Sequence, residues 1–406
     1  MKRSAFLRNG ALSLLALGSG LSPRYLRAVA HRTTGQQHTL VCVFQRGGMD
    51  GLAAVQPLRD PNLRQLRPDL TLEAGSGKDQ LLDLDGTFGL HPSLRPLESL
   101  YREGRLRIVH GVGLPTPTRS HFDAQDYVES GTPGRKSTPD GWLNRAAARL
   151  PGDGSPLRAV SLTPALPRSL YGEQYAVAVE RLTDLGITQT TANQQRGAAG
   201  FEALYRQTSA ELLREGGSTG LDAANLLSAA ELESYRPAVG VSYPDSMLGR
   251  GLRQVAQLIK SEVGLEIAFA ESPNWDTHTR QGGRFGLFNR QATDLAASVT
   301  AFWRDLGTLQ DRVTLMTLTE FGRTVHQNGS GGTDHGRASC AFVVDNQLAG
   351  PQVKGFVPEL LPANLADGRD LPVTTDVRAY CAAVARHRLG IRGGLFPGWE
   401  GVPLQW

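Results

Sequence analysis

Cysteine is scarce in this chain: three residues in 406. No two are spaced as Cys-x-x-Cys. That excludes a disulfide-stapled scaffold and leaves no thiolate site for zinc or redox chemistry. The odd count leaves at least one thiol free or paired between chains. Long apolar runs are missing too. After residue 30 none approaches the roughly 18 residues a bilayer demands, so the mature chain is expected to have no membrane-spanning helix. Internal repeats are absent. So is an excess of one charge beyond the N-terminus. Of 43 Lys+Arg, five (Lys2, Arg3, Arg8, Arg24, Arg27) lie in the first 30 residues with no acid, leaving 38 basic against 39 acidic residues. No basic run is interleaved with aromatics, which argues against a nucleic-acid partner. What remains is ordinary globular composition, 40% hydrophobic and 20% charged, long enough for one large domain or two ordinary ones.

The basic N-terminus reads as an export signal over residues 1–30. Lys2-Arg3 is the charged start, residues 11–21 are moderately apolar, and Ala28-Val29-Ala30 is a small-residue cleavage site. Phe6-Leu7-Arg8 after Lys2-Arg3 resembles a degenerate twin-arginine signal, which would carry a folded protein to the periplasm or beyond. A polar linker, 31–37, follows.

From residue 38 the pattern alternates. Residues 38–45 are β-rich and nearly all apolar, as a strand buried on both faces should be. Further strands are expected at 105–111, 157–162, 265–270, 312–318 and 341–344. Helical stretches are expected at 247–263 and 285–306, and Asp376 caps a last helix running to about residue 388. Such alternation predicts an α/β domain over 38–406, a doubly wound, mostly parallel sheet sandwiched by helices. A helical insertion is expected at about 197–243. Ligands of such sheets bind beyond the C-terminal strand ends, and the polar clusters fall there.

Arg46-Gly47-Gly48-Met49-Asp50-Gly51 puts a carboxylate in a flexible turn, where Asp50 suits either a metal or local amides. Thr118 to Asp126 opens a helix. Ser120 suits an N-cap or a nucleophile at a helix N-terminus, Arg119 could hold an oxyanion, and His121 could shuttle protons. Trp275-Asp276-Thr277-His278 places a carboxylate and an imidazole two residues apart, on one side of an extended segment. Glu320 ends another strand, and the glycine-rich stretch 329–336 could present Asp334 and His335. The turn at 75–78 (Gly-Ser-Gly-Lys) lacks the upstream glycine and the strand of a phosphate-binding loop. Asp50, Asp276, His278, Glu320, Asp334 and His335 form a mixed carboxylate/imidazole set. It suits a divalent ion, Zn²⁺ or Mn²⁺, better than Ca²⁺ alone.

These motifs, with Gly89-Leu90-His91-Pro92, resemble the exported bacterial family called domain of unknown function 1501, over nearly the whole mature length. That family is similar to the alkaline phosphatase and sulfatase superfamily. The resemblance implies an alkaline-phosphatase-like sandwich with a metal site at the strand ends. It implies Asp50 as an early metal ligand, Ser120 as the attacking group, and Asp276 with His278 as a later ligand pair. Glu320-Phe321 stands where the superfamily has Asp-His, so Asp334 and His335 are left to complete the set. No Cys-x-Pro-x-Arg is present for a formylglycine sulfatase.

The expectation is an exported metal-dependent hydrolase of phosphate or sulfate esters, acting on a small-molecule or polysaccharide substrate. The alternatives are a non-catalytic binding protein on the same scaffold and a metal-dependent phosphomutase. Neither the oligomeric state nor the substrate is legible.

Overall fold

The computed structural model describes residues 37–152, 154–184, 226, 235–350 and 352–405. The expected export signal and most of the expected insertion (197–225 and 227–234) lie outside the described residues.

The strands are β1 Thr39–Gln45, β2 Val55–Pro57, β3 Leu82–Asp83, β4 Phe88–Leu90, β5 Leu106–Gly113, β6 Ala159–Ser161, β7 Val177–Ala178, β8 Ile267–Ser272, β9 Val313–Thr319, β10 Ser339–Val344, β11 Val353–Lys354 and β12 Thr375–Asp376. The α-helices are α1 Gly51–Ala54, α2 Leu63–Leu66, α3 Glu98–Arg102, α4 His121–Ser130, α5 Trp142–Ala147, α6 Met247–Lys260, α7 Leu287–Leu306 and α8 Val377–Leu389.

Nine strands share one sheet in the order β11-β5-β10-β9-β1-β8-β6-β7, with β12 also beside β5. Every pairing is parallel except the two made by β10, which runs against both β5 and β9. The C-terminal ends of β1, β5, β8 and β9 therefore lie along one edge, and β10 starts there. β2, β4 and β3 form a small antiparallel sheet beside it.

The apolar strands are sealed on both faces. Val41 and Val43 of β1 pack with α6 and α7 residues such as Leu252, Val255, Leu295 and Phe302. Leu40, Cys42 and Phe44 point the other way, onto α4, α5 and α8 residues such as Val128, Trp142, Tyr380 and Val384. The fold is thus the expected doubly wound α/β sandwich. The expected helices 247–263 and 285–306 are found as Met247–Lys260 and Leu287–Leu306. Ser246 Oγ accepts from Gly249 N and Asp376 caps Arg378 N, while α4 and α8 end at Gly131 and Gly390 in the left-handed conformation.

All three cysteines are buried and free, so Cys42 and Cys381 form no disulfide. The described end of the expected insertion, 235–243, contains no strand and is tied down by Tyr235 and Tyr243, whose hydroxyls both reach Asp305 of α7. No helix among the described residues is long and apolar enough to cross a membrane.

Candidate metal centre

Four loops leave the shared strand edge and converge. Backbone approach here is close enough to require glycine. Gly47 (φ 118°) would place a Cβ 2.5 Å from Asp276 N, and a Cβ at Gly332 would lie 2.3 Å from the His278 carbonyl oxygen. The segment carrying Asp276 and His278 lies between Asn274 (φ 69°) and Arg280 (φ 50°). These left-handed non-glycine residues cost on the order of 1 kcal/mol each and persist only where surrounding contacts hold them.

His121, Asp276 and His335 bring their ligand atoms within 4.8 Å of one another, and His278 adjoins them. Each imidazole is anchored through Nδ1. That of His121 meets Glu320 Oε1 at 2.8 Å, that of His278 meets Asp334 Oδ1 at 2.9 Å, and that of His335 meets the Arg119 carbonyl oxygen at 2.7 Å. All three acceptors lack a proton to give, so each Nδ1 is the donor, and a ring that carries no second proton turns an Nε2 lone pair inward. The Nε2 atoms of His278 and His335 are 2.9 Å apart. Asp276 Oδ1 lies 3.1 Å from His278 Nε2 and 3.3 Å from His335 Nε2, and Asp276 Oδ2 lies 3.5 Å from His121 Nε2. His121 Nε2 is sheltered from solvent and has no hydrogen-bond partner among the described residues.

Two facing lone pairs repel unless a proton or a cation sits between them. The spacings suit a cation. Ligands about 2.1 Å from one ion stand about 3.0 Å apart in an octahedron and about 3.4 Å apart in a tetrahedron. The Nδ1 anchors have the arrangement by which metal-binding histidines are usually oriented. The donor set therefore fits a divalent ion of the Zn²⁺ or Mn²⁺ kind.

The charges are shaped accordingly. The hydrogen bond to Glu320 raises the His121 pKa despite partial burial. Burial would raise the Glu320 carboxyl, but bonds from His121, Gln125 and the Gly47 amide outweigh it and hold its pKa down. Burial likewise opposes ionisation of Asp276, and the Arg323 guanidinium 2.6 Å from its Oδ1 overrides that and keeps it an anion. The bond from His278 lowers Asp334. Burial lowers His335, whose acceptor is an uncharged carbonyl. Phe321, buried, lies under His121 and His335 with ring centroids 4.8 and 4.7 Å away. The cluster itself is open to solvent, with Asp276 44% and His278 40% exposed.

The other residues expected in the site fall around this core. Asp50 is fully buried and engaged. Oδ2 accepts from Arg67 Nη1 at 2.7 Å and Gln281 Nε2 at 2.6 Å, while Oδ1 caps Ala53 N. Glu320 stands behind His121, its Oε1 accepting from Gly47 N, His121 and Gln125. Asp334 stands behind His278. Ser120 is the N-cap of α4, with Oγ 3.4 Å from Asp123 N. The Arg119 side chain reaches Asp370 (2.9 Å) and Asp367 (3.3 Å), so its carbonyl, not its guanidinium, meets the cluster. Sequence reasoning put His121 down as a proton carrier and did not group it with the ligands. The buried Arg67 and Arg323 escaped it altogether. The one signal for Arg323 was its place three residues after Glu320, in the segment that leaves β9.

A mostly parallel α/β sheet with an Asp/His cluster at its strand ends defines a protein whose candidate site has the chemistry of a metal centre. The chain belongs to the family described as "Protein of unknown function (DUF1501)", which matches residues 37–387. No curated protein matches the chain. Similar solved structures include the crystal structure of PsFucS1 sulfatase from Pseudoalteromonas sp., at 12% identity and a TM-score of 0.33, covering 83% of this chain and 69% of that one. That superposition is too loose to carry a residue correspondence.

Proposed function

We propose that the chain is an exported, metal-dependent hydrolase of phosphate or sulfate esters. The observation that carries the metal dependence is the pair of Nε2 atoms of His278 and His335 at 2.9 Å, each ring committed outward through Nδ1. His121, His278 and His335 through Nε2, with the Asp276 carboxylate, would hold the ion. Bound there, it would supply Lewis acidity toward an ester oxygen. The ester class rests on the family resemblance and the export on the pattern of residues 1–30.

The chain's own groups have definite work in this reading. Ser120, at the N-terminus of α4 and adjacent to His121, supplies the attacking Oγ, with the helix amides favouring an anion beside it. Glu320 holds the Nδ1 proton of His121 and so fixes its tautomer. The Arg119 carbonyl does the same for His335. Phe321 keeps water from the inner side of both rings.

A non-catalytic binding protein is the competing reading. In its favour, the Arg119 guanidinium is already bonded to Asp370 and Asp367. Two measurements separate them. Elemental mass spectrometry of the mature protein from the exported fraction should give a near-stoichiometric transition metal, lost in Asp276→Ala/His278→Ala. Aryl phosphate and aryl sulfate screens should then find turnover that Ser120→Ala reduces by at least about a hundredfold. Metal without turnover leaves the binding protein, and no metal after reconstitution with Zn²⁺, Mn²⁺ and Ca²⁺ removes the hydrolase.

A further inference from the structure

We infer, building on the metal-centre reading above, that the site takes one divalent ion, and that two buried guanidinium groups, Arg323 and Arg67, hold the places a second ion's charge would need. Arg323 is 1% exposed. Its Nε donates to the Gly48 carbonyl at 2.7 Å, Nη1 to Thr333 O at 3.1 Å, and Nη2 to Trp275 O at 3.0 Å, to Gly47 O and to Asp276 Oδ1 at 2.6 Å. Four carbonyls from three loops grip the group, so it cannot swing aside for an incoming cation. It takes up part of Asp276 Oδ1, the oxygen nearest His278 and His335 Nε2, and leaves that oxygen nothing to spare for a second ion.

Arg67 does the same to Asp50. It is also 1% exposed, donates to the carbonyls of Val325 (2.8 Å) and Thr324 (2.6 Å), and sits 2.7 Å from Asp50 Oδ2. With Gln281 and Ala53 N on the same carboxylate, Asp50 has no oxygen to turn toward the cluster without stripping a buried guanidinium. Glu320 is similarly taken up by Gly47 N, His121 and Gln125.

The charges agree. Asp276, Glu320 and Asp334 bring three carboxylates and Arg323 one guanidinium, and an imidazole that binds an ion through Nε2 adds no charge. Asp50 cancels Arg67, while Arg119 and Arg369 are matched by Asp367 and Asp370, which they contact. One dication brings the site to neutrality. A second would leave two positive charges uncompensated at a partly buried position, where like charges are costly.

The test is native mass spectrometry and calorimetric titration of the mature, metal-stripped chain with Zn²⁺, repeated with Mn²⁺. The expected result is about one equivalent at saturation, unchanged at about tenfold excess. Asp50→Asn should keep that equivalent, with Kd within about threefold of the parent. Two tight equivalents, both lost in Asp276→Ala/His335→Ala, would overturn this inference and leave the metal reading standing. No bound ion would overturn both. Loss of the ion in an Asp50→Asn protein whose circular dichroism and melting match the parent would show Asp50 to be a ligand and overturn the inference.

Discussion

Asp305 and Asp276 are both carboxylates crowded by polar groups, and their surroundings differ in one respect. Asp305, buried near the end of α7, accepts from Lys260 Nζ at 2.5 Å, Ala238 N at 2.7 Å, Tyr243 Oη at 2.9 Å and Tyr235 Oη. Every contact pairs a donor with an acceptor. Burial opposes its ionisation, and those four bonds win, holding the pKa below the usual carboxylate range. Around Asp276 the bonds are complete on the outside, while on the inside His121 Nε2 has no hydrogen-bond partner among the described residues and the Nε2 atoms of His278 and His335 face one another at 2.9 Å. The closed network holds the 235–243 segment against α6 and α7. The open one leaves the cluster exposed to solvent at Asp276 and His278. Buried polar groups are normally satisfied, and His121 Nε2, sheltered and unpartnered beside two more imidazoles and a carboxylate, stands where a ligand could complete the set.

The contrast is sharpest in stability. Asp305→Ala should destabilise the protein by about 3–5 kcal/mol, because it strands a partly buried ammonium and two hydroxyls. Urea unfolding at neutral pH measures this, and a loss below about 1 kcal/mol would mean the clip is not the closed network it looks like. Saturating Zn²⁺ or Mn²⁺ at about a hundred times Kd should stabilise the parent by about 2.7 kcal/mol. Asp305→Ala should keep that increment, and His335→Ala should abolish it. Equal increments in both variants would break the distinction.

Glu320→Gln removes the anion behind His121. Ion affinity should fall about 10- to 100-fold, read by competition with a chromophoric chelator, and an unchanged affinity would reduce Glu320 to packing.

The effect of pH acts through a buried group away from the cluster. His110 is fully buried in β5, stacked on Phe88 at 4.3 Å, and burial lowers its pKa to about 3. The folded protein thus refuses a proton that the unfolded chain accepts below about 6.5. The stability this neutral imidazole allows is fully present above about pH 6.5 and is lost as pH falls toward 3, by about 1.4 kcal/mol per pH unit. His110→Phe should flatten the profile by that slope over pH 4–6, and an unaltered slope would show His110 protonated in the native state. The smallest effect belongs to the metal-free site. There His335→Ala should stabilise by up to about 1 kcal/mol, since one of two opposed lone pairs is gone. A clear loss instead would show that a proton already bridges the pair.

Much of the scaffold was legible along the chain. Segments such as 38–45 and 312–318 are apolar nearly throughout because a central parallel strand is covered on both faces, and that pattern needs no partner to be read. Helix starts were partly legible for the same reason. Asp376 and Ser120 cap amides two or three residues away. The candidate site was legible in part. Asp276, His278, Asp334 and His335 stood out by type and by position after strands, and the structure brings them together. Asp50 and Glu320 stood out on the same grounds, but here one is saturated by Arg67 and Gln281 and the other stands behind an imidazole. His121 adjoins Ser120 in a helix-opening motif, which hid its nearness to Asp276, 155 residues away.

Residue types, their alternation and their local caps are properties of neighbours in the chain, and from them follow the α/β class, the strand ends and the list of possible ligands. Which nitrogen carries a proton, which carboxylate is already paired, and which lone pairs face one another depend on groups up to 276 residues apart, as Arg323 is from Gly47. Those contacts exist only once β1, β8 and β9 have aligned their ends. Electrostatics and hydrogen bonding act over a few ångströms of space, so only folding decided which of the candidates stand together.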